Sequence, residues 1–176
     1  VLALYLERRA SFVENLRGMF ALAGFDFREA GRDMAPTRLL ARDPFGITPL
    51  YVAQRGSCVV FGSELKAVLA SGLVERDVDP AGLVDFLTHG FVIQPATMLR
   101  GVRALEPGTA ELFRPGGGST KTVFYQLPKS SSRRESLEDA ASRVRHAIDE
   151  SIRLHAFADA KVGAFLSGGI DSAIVA

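Results

Sequence analysis

The sequence predicts an α+β domain followed by the beginning of an α/β unit. Three observations support this prediction. Short β-rich segments alternate with turn signals through the first part of the chain. The polar, serine-rich stretch PKSSSRRE then interrupts this pattern, and a helical pattern, a short apolar run and a glycine-rich loop follow it. We therefore divide the chain into a first part at 1–127, a linker at 128–135 and a second part at 136–176.

The composition is typical of soluble globular proteins. Hydrophobic residues make up 47% of the 176 residues, and 21 Lys and Arg nearly balance 20 Asp and Glu. Because no excess of positive charge is present to attract phosphate backbones or acidic lipids, we expect neither nucleic acid nor a membrane as a partner. No apolar run reaches the roughly 18 residues of a membrane span. The single cysteine excludes an internal disulfide framework, and we expect a cytoplasmic protein.

The first part is predicted to begin with a helix and to continue as strands. Apolar residues between Val1 and Leu16 recur at three-and-four spacing, with a break near Arg9. The segments GMFALAGFD and TRLLARD predict two strands, and PLYVAQ and CVVFGS predict two more around a turn at 55–57. We expect these strands to follow one another as a meander.

Two short helices and a hairpin are predicted next. SELKAVLASG has helical spacing and is expected to stop at Gly72. In DPAGLVDFLTHG, Asp79 is the expected N-cap, Pro80 suits the first helical position and Gly90 ends the run. GTAELFRPGGGSTKTVFYQL predicts two strands around a glycine turn. We do not expect GGGSTKT to bind phosphate, because Thr120 stands where a Walker loop needs glycine directly before the lysine.

The second part is predicted to contain a helix, a strand, a loop and the start of another helix. Ser136 and Asp139 resemble a capping box, and they open a helix with an apolar stripe from Leu137 to Ile152. KVGAFL is predicted to be a central parallel strand, because it is a short apolar run between a helix and a glycine loop.

The loop at 167–172, SGGIDS, is the candidate phosphate site. Its consecutive glycines allow a positive φ and let backbone N–H groups face an anion, and its two serines add hydroxyl donors. The helix start that follows also favours phosphate oxygens. Asp171 fits beside a polyanion if it caps the helix or shares a divalent cation that bridges the phosphates. A strand-to-helix turn that is rich in Gly and Ser for steric reasons explains the same six residues equally well.

FLSGGIDS resembles the PP-loop of the ATP-pyrophosphatase superfamily. Upstream, ARDPFGITPLY and FGSELKAV are similar to the second half of class II glutamine amidotransferase domains. Together with FVENLRGMFALAGFD, FLTHGFV, GVRALEPGT and VGAFLSGGIDS, they occur in the order of the glutamine-hydrolysing asparagine synthetase family. The resemblance covers essentially the whole chain. It implies an α+β Ntn-hydrolase-type sandwich, in which two sheets lie between helices, followed by the start of an α/β PP-loop synthetase domain.

The resemblance also implies substrates and a site. Glutamine, aspartate and ATP would be the substrates, and Mg²⁺ would be bound with the ATP. The reaction would pass through β-aspartyl-AMP and release AMP and pyrophosphate. A homodimer is a possible assembly of the enzyme. The implied ATP and pyrophosphate contacts are Leu166, Ser167, Gly168, Gly169, Ile170, Asp171 and Ser172. No protein-bound transition metal is expected, because the three histidines lack partners at zinc-site spacings.

The chain departs from the family in its glutaminase half. The nucleophile of the family is an N-terminal cysteine, whereas position 1 here is Val1, so no catalytic residue is expected in this chain. Cys58 is expected to be a buried residue of a strand, and Thr48 stands where a lysine is frequent in the family. We expect the chain to be a piece of a longer enzyme, truncated at both ends and inactive by itself.

Other interpretations stay open. A relative could amidate another carboxylate, as a β-lactam synthetase or a peptide- or sugar-modifying enzyme does. An amidophosphoribosyltransferase-like enzyme would share ARDPFGI, but SGGIDS argues against it. A non-catalytic scaffold could have kept the fold and lost the chemistry. Arg42 and Asp43 are expected to hold a strand end and a turn rather than to act in catalysis.

Overall fold

The computed structural model describes residues 1–28, 35–129, 135–156 and 158–176. The chain forms two compact units, Val1–Leu127 and Pro128–Ala176. The predicted linker at 128–135 lies mostly outside the described residues, and the predicted domain boundaries stay predictions.

The first unit begins with a helix that breaks near Arg9, as predicted. Helix α1 spans Leu2–Arg8 and a 3-10 segment spans Arg9–Asn15. Arg9 has a φ of 55°, which a residue with a side chain rarely adopts, so the helical path changes there. The 3-10 segment buries Phe12 and Val13, which are 2% and 1% exposed.

In the described residues, the strands form two antiparallel sheets. Their bounds are β1 Ala21–Asp26, β2 Thr37–Arg42, β3 Tyr51–Arg55, β4 Cys58–Gly62, β5 Val102–Ala104, β6 Thr109–Phe113 and β7 Ser119–Val123. One sheet has the order β1-β2-β6-β7 and the other β4-β3-β5. The predicted meander is wrong, because β2 and β3 follow one another in the chain but lie in different sheets. The hairpins β3–β4 and β6–β7 are confirmed, whereas β5 was not predicted.

Strand β2 packs on both of its faces, against the 3-10 segment on one side and against the other sheet on the opposite side. Leu39 and Ala41 lie in a cluster with the 3-10 segment, and Leu40 lies in a cluster with Val52 of the other sheet. A strand points successive side chains to opposite faces, so β2 contributes to a core on each side of its sheet. Helix α2, Leu65–Ala70, covers the other sheet through the fully buried Val68.

Helix α3, Pro80–His89, has the predicted boundaries. The Asp79 side chain accepts a hydrogen bond from the Ala81 N–H, and Gly90 has a φ of 79°. Inside the helix, a Cβ at Gly82 would clash with the carbonyl oxygen of Thr97, so this glycine permits close packing of the chain.

In the second unit, helix α4 spans Leu137–His155 and helix α5 spans Ile170–Val175. The Ser136 hydroxyl accepts the Asp139 N–H at 3.1 Å, which confirms the predicted cap. The predicted strand KVGAFL is wrong, because residues 161–166 have no regular structure. A strand needs a neighbouring strand for its hydrogen bonds, and the described residues of this unit contain none.

The α+β class with antiparallel sheets is confirmed for the first unit. The Ntn-hydrolase-type sandwich and the start of a PP-loop domain stay predictions. In the part of the chain that the structure describes, no helix is both long enough and apolar enough to cross a membrane.

The carboxylate of Asp43, which is only 1% exposed, organises the turn after β2. Its Oδ1 accepts the N–H groups of Phe45 at 3.1 Å and Ile47 at 3.0 Å, and its Oδ2 accepts the N–H of Thr48 at 3.0 Å. The side chain therefore replaces the backbone partners that this turn lacks, which confirms its structural interpretation.

Replacing Asp43 by asparagine should reduce the stability of the first unit and change its response to acid. Burial by itself would raise the pKa of Asp43, but the donors at Thr48, Ile47 and Phe45 outweigh it and hold the pKa below its ordinary value. A carboxyl whose pKa is lower in the folded state stabilises the fold above about pH 4 and loses that contribution as the pH falls through the folded pKa. We expect Asp43→Asn to lower the free energy of unfolding by about 2 kcal/mol at neutral pH.

Urea unfolding of both proteins at neutral and acidic pH measures this effect. The difference between the wild type and Asp43→Asn should shrink at acidic pH. The exposed residue Glu14 provides the matched control, since Glu14→Gln removes a charge without removing a turn. A difference that stays constant with pH would argue against ionised Asp43 as the stabilising species.

Candidate phosphate-binding site

The loop predicted to bind phosphate enters a short helix directly. Residues 161–167 have no regular structure, the chain bends at 168 and 169, and α5 begins at Ile170. The predicted order of loop and helix is therefore present, but no strand precedes the loop.

The two glycines of the loop have different roles. Gly168 has a φ of 82°, a left-handed conformation that favours glycine. Gly169 is the N-cap of α5 with a φ of −83° and a ψ of 160°, which any residue can adopt. A Cβ at Gly169 would meet only the Ser167 Oγ, at 3.5 Å. The backbone thus needs glycine at 168, whereas at 169 glycine leaves open space beside the loop.

Two serine hydroxyls fasten the loop to itself. The Ser172 Oγ donates to the Gly169 carbonyl oxygen at 3.0 Å and accepts the Ser167 N–H at 3.3 Å. The two Oγ atoms lie 3.0 Å apart. The sequence indicated these serines only as donors to phosphate, and their bonds across the loop were missed. The sequence signal that could have indicated these bonds is the placement of the two serines on either side of the glycines.

Asp171 lies in the first turn of α5, while the N-cap of that helix is Gly169 and has no side-chain cap bond. The capping role considered for Asp171 is therefore wrong. The carboxylate is exposed, and it adds negative charge next to the helix N-terminus. Among the described residues, no group of three or more His, Cys, Asp or Glu side chains could hold a metal ion.

The loop is open to solvent on several sides. Leu166 and Ile170 are 67% and 79% exposed. A cavity of about 670 Å³ borders the loop at Asp171 and Ser172, and the last turn of α4 and residues 162–165 form its other walls. A volume of this size is in the range of small-molecule sites.

Cys58 is exposed, so the prediction of burial is wrong. It is the first residue of β4, which is an edge strand of its sheet, and it directly follows the two-residue turn of the hairpin. A position at the end of an edge strand has few neighbours that could cover it.

Two family models match the chain. The model described as a glutamine amidotransferase domain matches residues 1–125, and the model described as asparagine synthase matches residues 143–176. The loop lies in the second match and the two sheets lie in the first.

Curated relatives align with nearly the whole chain. Asparagine synthetase [glutamine-hydrolyzing] 1 of Bacillus subtilis is 32% identical over 175 residues, which is 99% of this chain and 26% of that protein. Asparagine synthetase [glutamine-hydrolyzing] 3 of the same organism is 30% identical over 172 residues, 97% of this chain and 27% of that protein. The amidase chyE of Penicillium rubens is 32% identical over 180 residues, 100% of this chain and 25% of that protein.

The chain spans about a quarter of the length of these relatives. Its first family match covers most of its residues, and the second match follows in the same chain. The chain belongs to the glutamine amidotransferase domain family, and its residues 143–176 continue with a match to the asparagine synthase model.

Proposed function

We propose that this chain is part of an ATP-dependent asparagine synthetase. The enzyme would use ammonia from glutamine to amidate aspartate through β-aspartyl-AMP, and would release AMP and pyrophosphate. The observation that carries the proposal is the loop at 167–172, where a left-handed Gly168 and the open space at Gly169 precede a helix N-terminus. Its position inside the asparagine synthase match supports the same chemistry.

The loop would bind the β- and γ-phosphates of ATP, with Leu166 contributing its backbone. The first N–H groups of a helix have no acceptor within the helix, so those at the start of α5 are free to meet phosphate oxygens. Because Ser172 already holds Ser167 and Gly169, the loop keeps its shape before ATP arrives. Such preorganised donors would stabilise the charge that accumulates on the departing pyrophosphate, and the effect would be larger once water is excluded from the loop.

Asp171 would contact Mg²⁺ rather than phosphate. A carboxylate repels a polyanion but is a preferred ligand of Mg²⁺, which usually binds one or two carboxylates together with substrate phosphates. The exposure of Asp171 beside the cavity is compatible with this contact. Bound Mg²⁺ would supply neutralisation of the phosphate charge.

Glutamine hydrolysis is not assigned to a residue of this chain. An N-terminal nucleophile uses its own free α-amine as the base, and Cys58 has none, because it lies within β4. The amidotransferase unit would therefore contribute the sheet scaffold of the glutaminase half, and the complete reaction would need further residues.

A different acceptor carboxylate is the second candidate. The similarity to proteins named amidase chyE and amidase chry2, at 32% and 30% identity, favours it over a scaffold without chemistry. Both candidates share the adenylation step at the loop and differ only in the group that attacks the α-phosphorus.

The test is an assay of the full-length enzyme that contains this chain, supplied with ATP, Mg²⁺, aspartate and either glutamine or ammonia. We expect pyrophosphate and asparagine to form in equal amounts with either nitrogen source. Pyrophosphate release that requires another carboxylate would favour the second candidate. An absence of pyrophosphate with every carboxylate offered would contradict the adenylation chemistry.

A further inference from the structure

A small cavity lies in the first unit, on the face of the β4-β3-β5 sheet that α2 covers. It measures about 190 Å³, and its walls are the end of β3, residues 73–75 and 77, and the turn before β5. Its apolar floor consists of Ala53, Val60 and Val74, which pack in the same cluster as the buried Val68 and Val102. The floor is therefore part of the hydrophobic core, which fixes the shape of the cavity.

Two pairs of opposite charges line this cavity. The Arg55 Nη2 lies 3.8 Å from the Glu75 Oε1, and the Arg100 Nε lies 3.1 Å from the Asp77 Oδ2. The backbone positions the second pair, since the Arg100 N–H donates to the Asp77 carbonyl oxygen at 2.9 Å. A turn at Gly101, with a φ of 74°, then leads into β5.

The charged groups retain unused hydrogen-bonding capacity. A guanidinium has five N–H donors. Arg55 makes one contact with the Leu73 carbonyl oxygen at 3.4 Å, and its 3.8 Å separation from Glu75 is longer than a hydrogen bond. All four side chains are at least half exposed, and ion pairs of this kind add little stability. A ligand that replaces one of these ion-pair contacts would therefore cost little free energy.

We propose that this cavity binds a small zwitterionic α-amino acid. A ligand carboxylate would receive paired hydrogen bonds from Arg55, and the ligand ammonium would contact Glu75, because this pair is held less closely than Arg100 and Asp77. The substituent at the ligand Cα would lie on the apolar floor. Because two positive and two negative side chains line the cavity, a ligand with both charges matches it better than an anion or a cation. The volume lies below the range of about 300–1,000 Å³ that is typical of sites for drug-sized ligands, so the cavity is too small for a nucleotide and the ligand must be small.

The site does not depend on the ATP chemistry proposed for the second unit, so it can be tested on the 176-residue chain. The probe is L-alanine, followed by the backbone amide signals in two-dimensional NMR. We expect saturable shifts at Ala53, Val60, Val74 and Gly101, with a dissociation constant of about 1 mM. Acetate and ethylammonium, which each carry one of the two charges, should bind at least about tenfold more weakly.

Two variants locate the binding groups. Arg55→Gln and Glu75→Gln should each weaken L-alanine binding by about tenfold, because each removes the partner of one ligand charge. Arg114→Gln is the matched control, since Arg114 is exposed and lies in the β6–β7 turn, outside the cavity lining. The proposal is overturned by shifts that do not saturate, by acetate binding as tightly as L-alanine, or by equal affinities of Arg55→Gln and Arg114→Gln.

Discussion

We expect Gly169→Val to abolish ATP-dependent pyrophosphate release in the full-length enzyme while glutamine hydrolysis continues. Valine can adopt the φ of −83° found at Gly169, and the nearest atom to its Cβ would be the Ser167 Oγ at 3.5 Å. The loop should therefore keep its backbone shape while the added methyl groups occupy the space where phosphate would approach the N–H groups. We expect a loss of about 100-fold or more, the range found when oriented donors to a reacting anion are removed.

A coupled pyrophosphate assay and a glutaminase assay on the same preparation measure the two activities. Gly169→Ala provides a graded control, because its smaller side chain should cause a smaller loss. Gly168→Ala tests a different effect, since a φ of 82° strains any residue with a side chain. Undiminished pyrophosphate release in Gly169→Val would refute the phosphate assignment of the loop.

We expect Arg42→Met to lower the free energy of unfolding of the first unit by about 4 kcal/mol. Arg42 is 2% exposed and donates to four acceptors in different segments. These acceptors are the carbonyl oxygens of Thr48, Leu105 and Gly46 and the side-chain oxygen of Gln94, at 2.8, 2.7, 2.7 and 2.8 Å. Methionine would fill similar space but would leave these buried oxygens without a donor.

Urea unfolding monitored by circular dichroism measures the loss. Arg42→Lys should recover only part of it, because an ammonium group cannot reach acceptors that a planar guanidinium contacts on several sides. Arg76→Met, at an exposed position of the same unit, should change the stability by less than about 0.5 kcal/mol. A loss below about 1 kcal/mol for Arg42→Met would mean that the turn is held by other contacts.

Elements with local signals could be predicted from the sequence. The Asp79 cap and the Gly90 stop fix both ends of α3, and the Ser136 cap fixes the start of α4. These signals depend on hydrogen bonds between residues that are close in the chain, so the sequence alone contains them.

Sheet membership could not be predicted in the same way. The sequence patterns at β2 and β3 both predict strands, but they do not show that the two strands belong to different sheets. The chain passes from one sheet to the other in the turn after β2, where Arg42 and Asp43 are buried. KVGAFL has the composition of a buried strand, yet strand formation depends on partners that the described residues of the second unit do not include. Cys58 was misjudged for a related reason, since exposure depends on its place at a sheet edge.

The candidate site was predicted in part. The glycine-rich sequence correctly indicated a left-handed residue and the start of a helix. The bonds between Ser167 and Ser172 depend on how the loop folds back, which residue types do not determine. Their effect is to connect Ser167, Gly169 and Ser172 across the loop.

The most direct test of the central claim is a crystal structure of the full-length enzyme with Mg²⁺ and a non-hydrolysable ATP analogue. We predict that backbone nitrogens between Gly168 and Asp171 lie within about 3 Å of β- or γ-phosphate oxygens. A bound nucleotide whose phosphorus atoms all lie far from these nitrogens would contradict the claim.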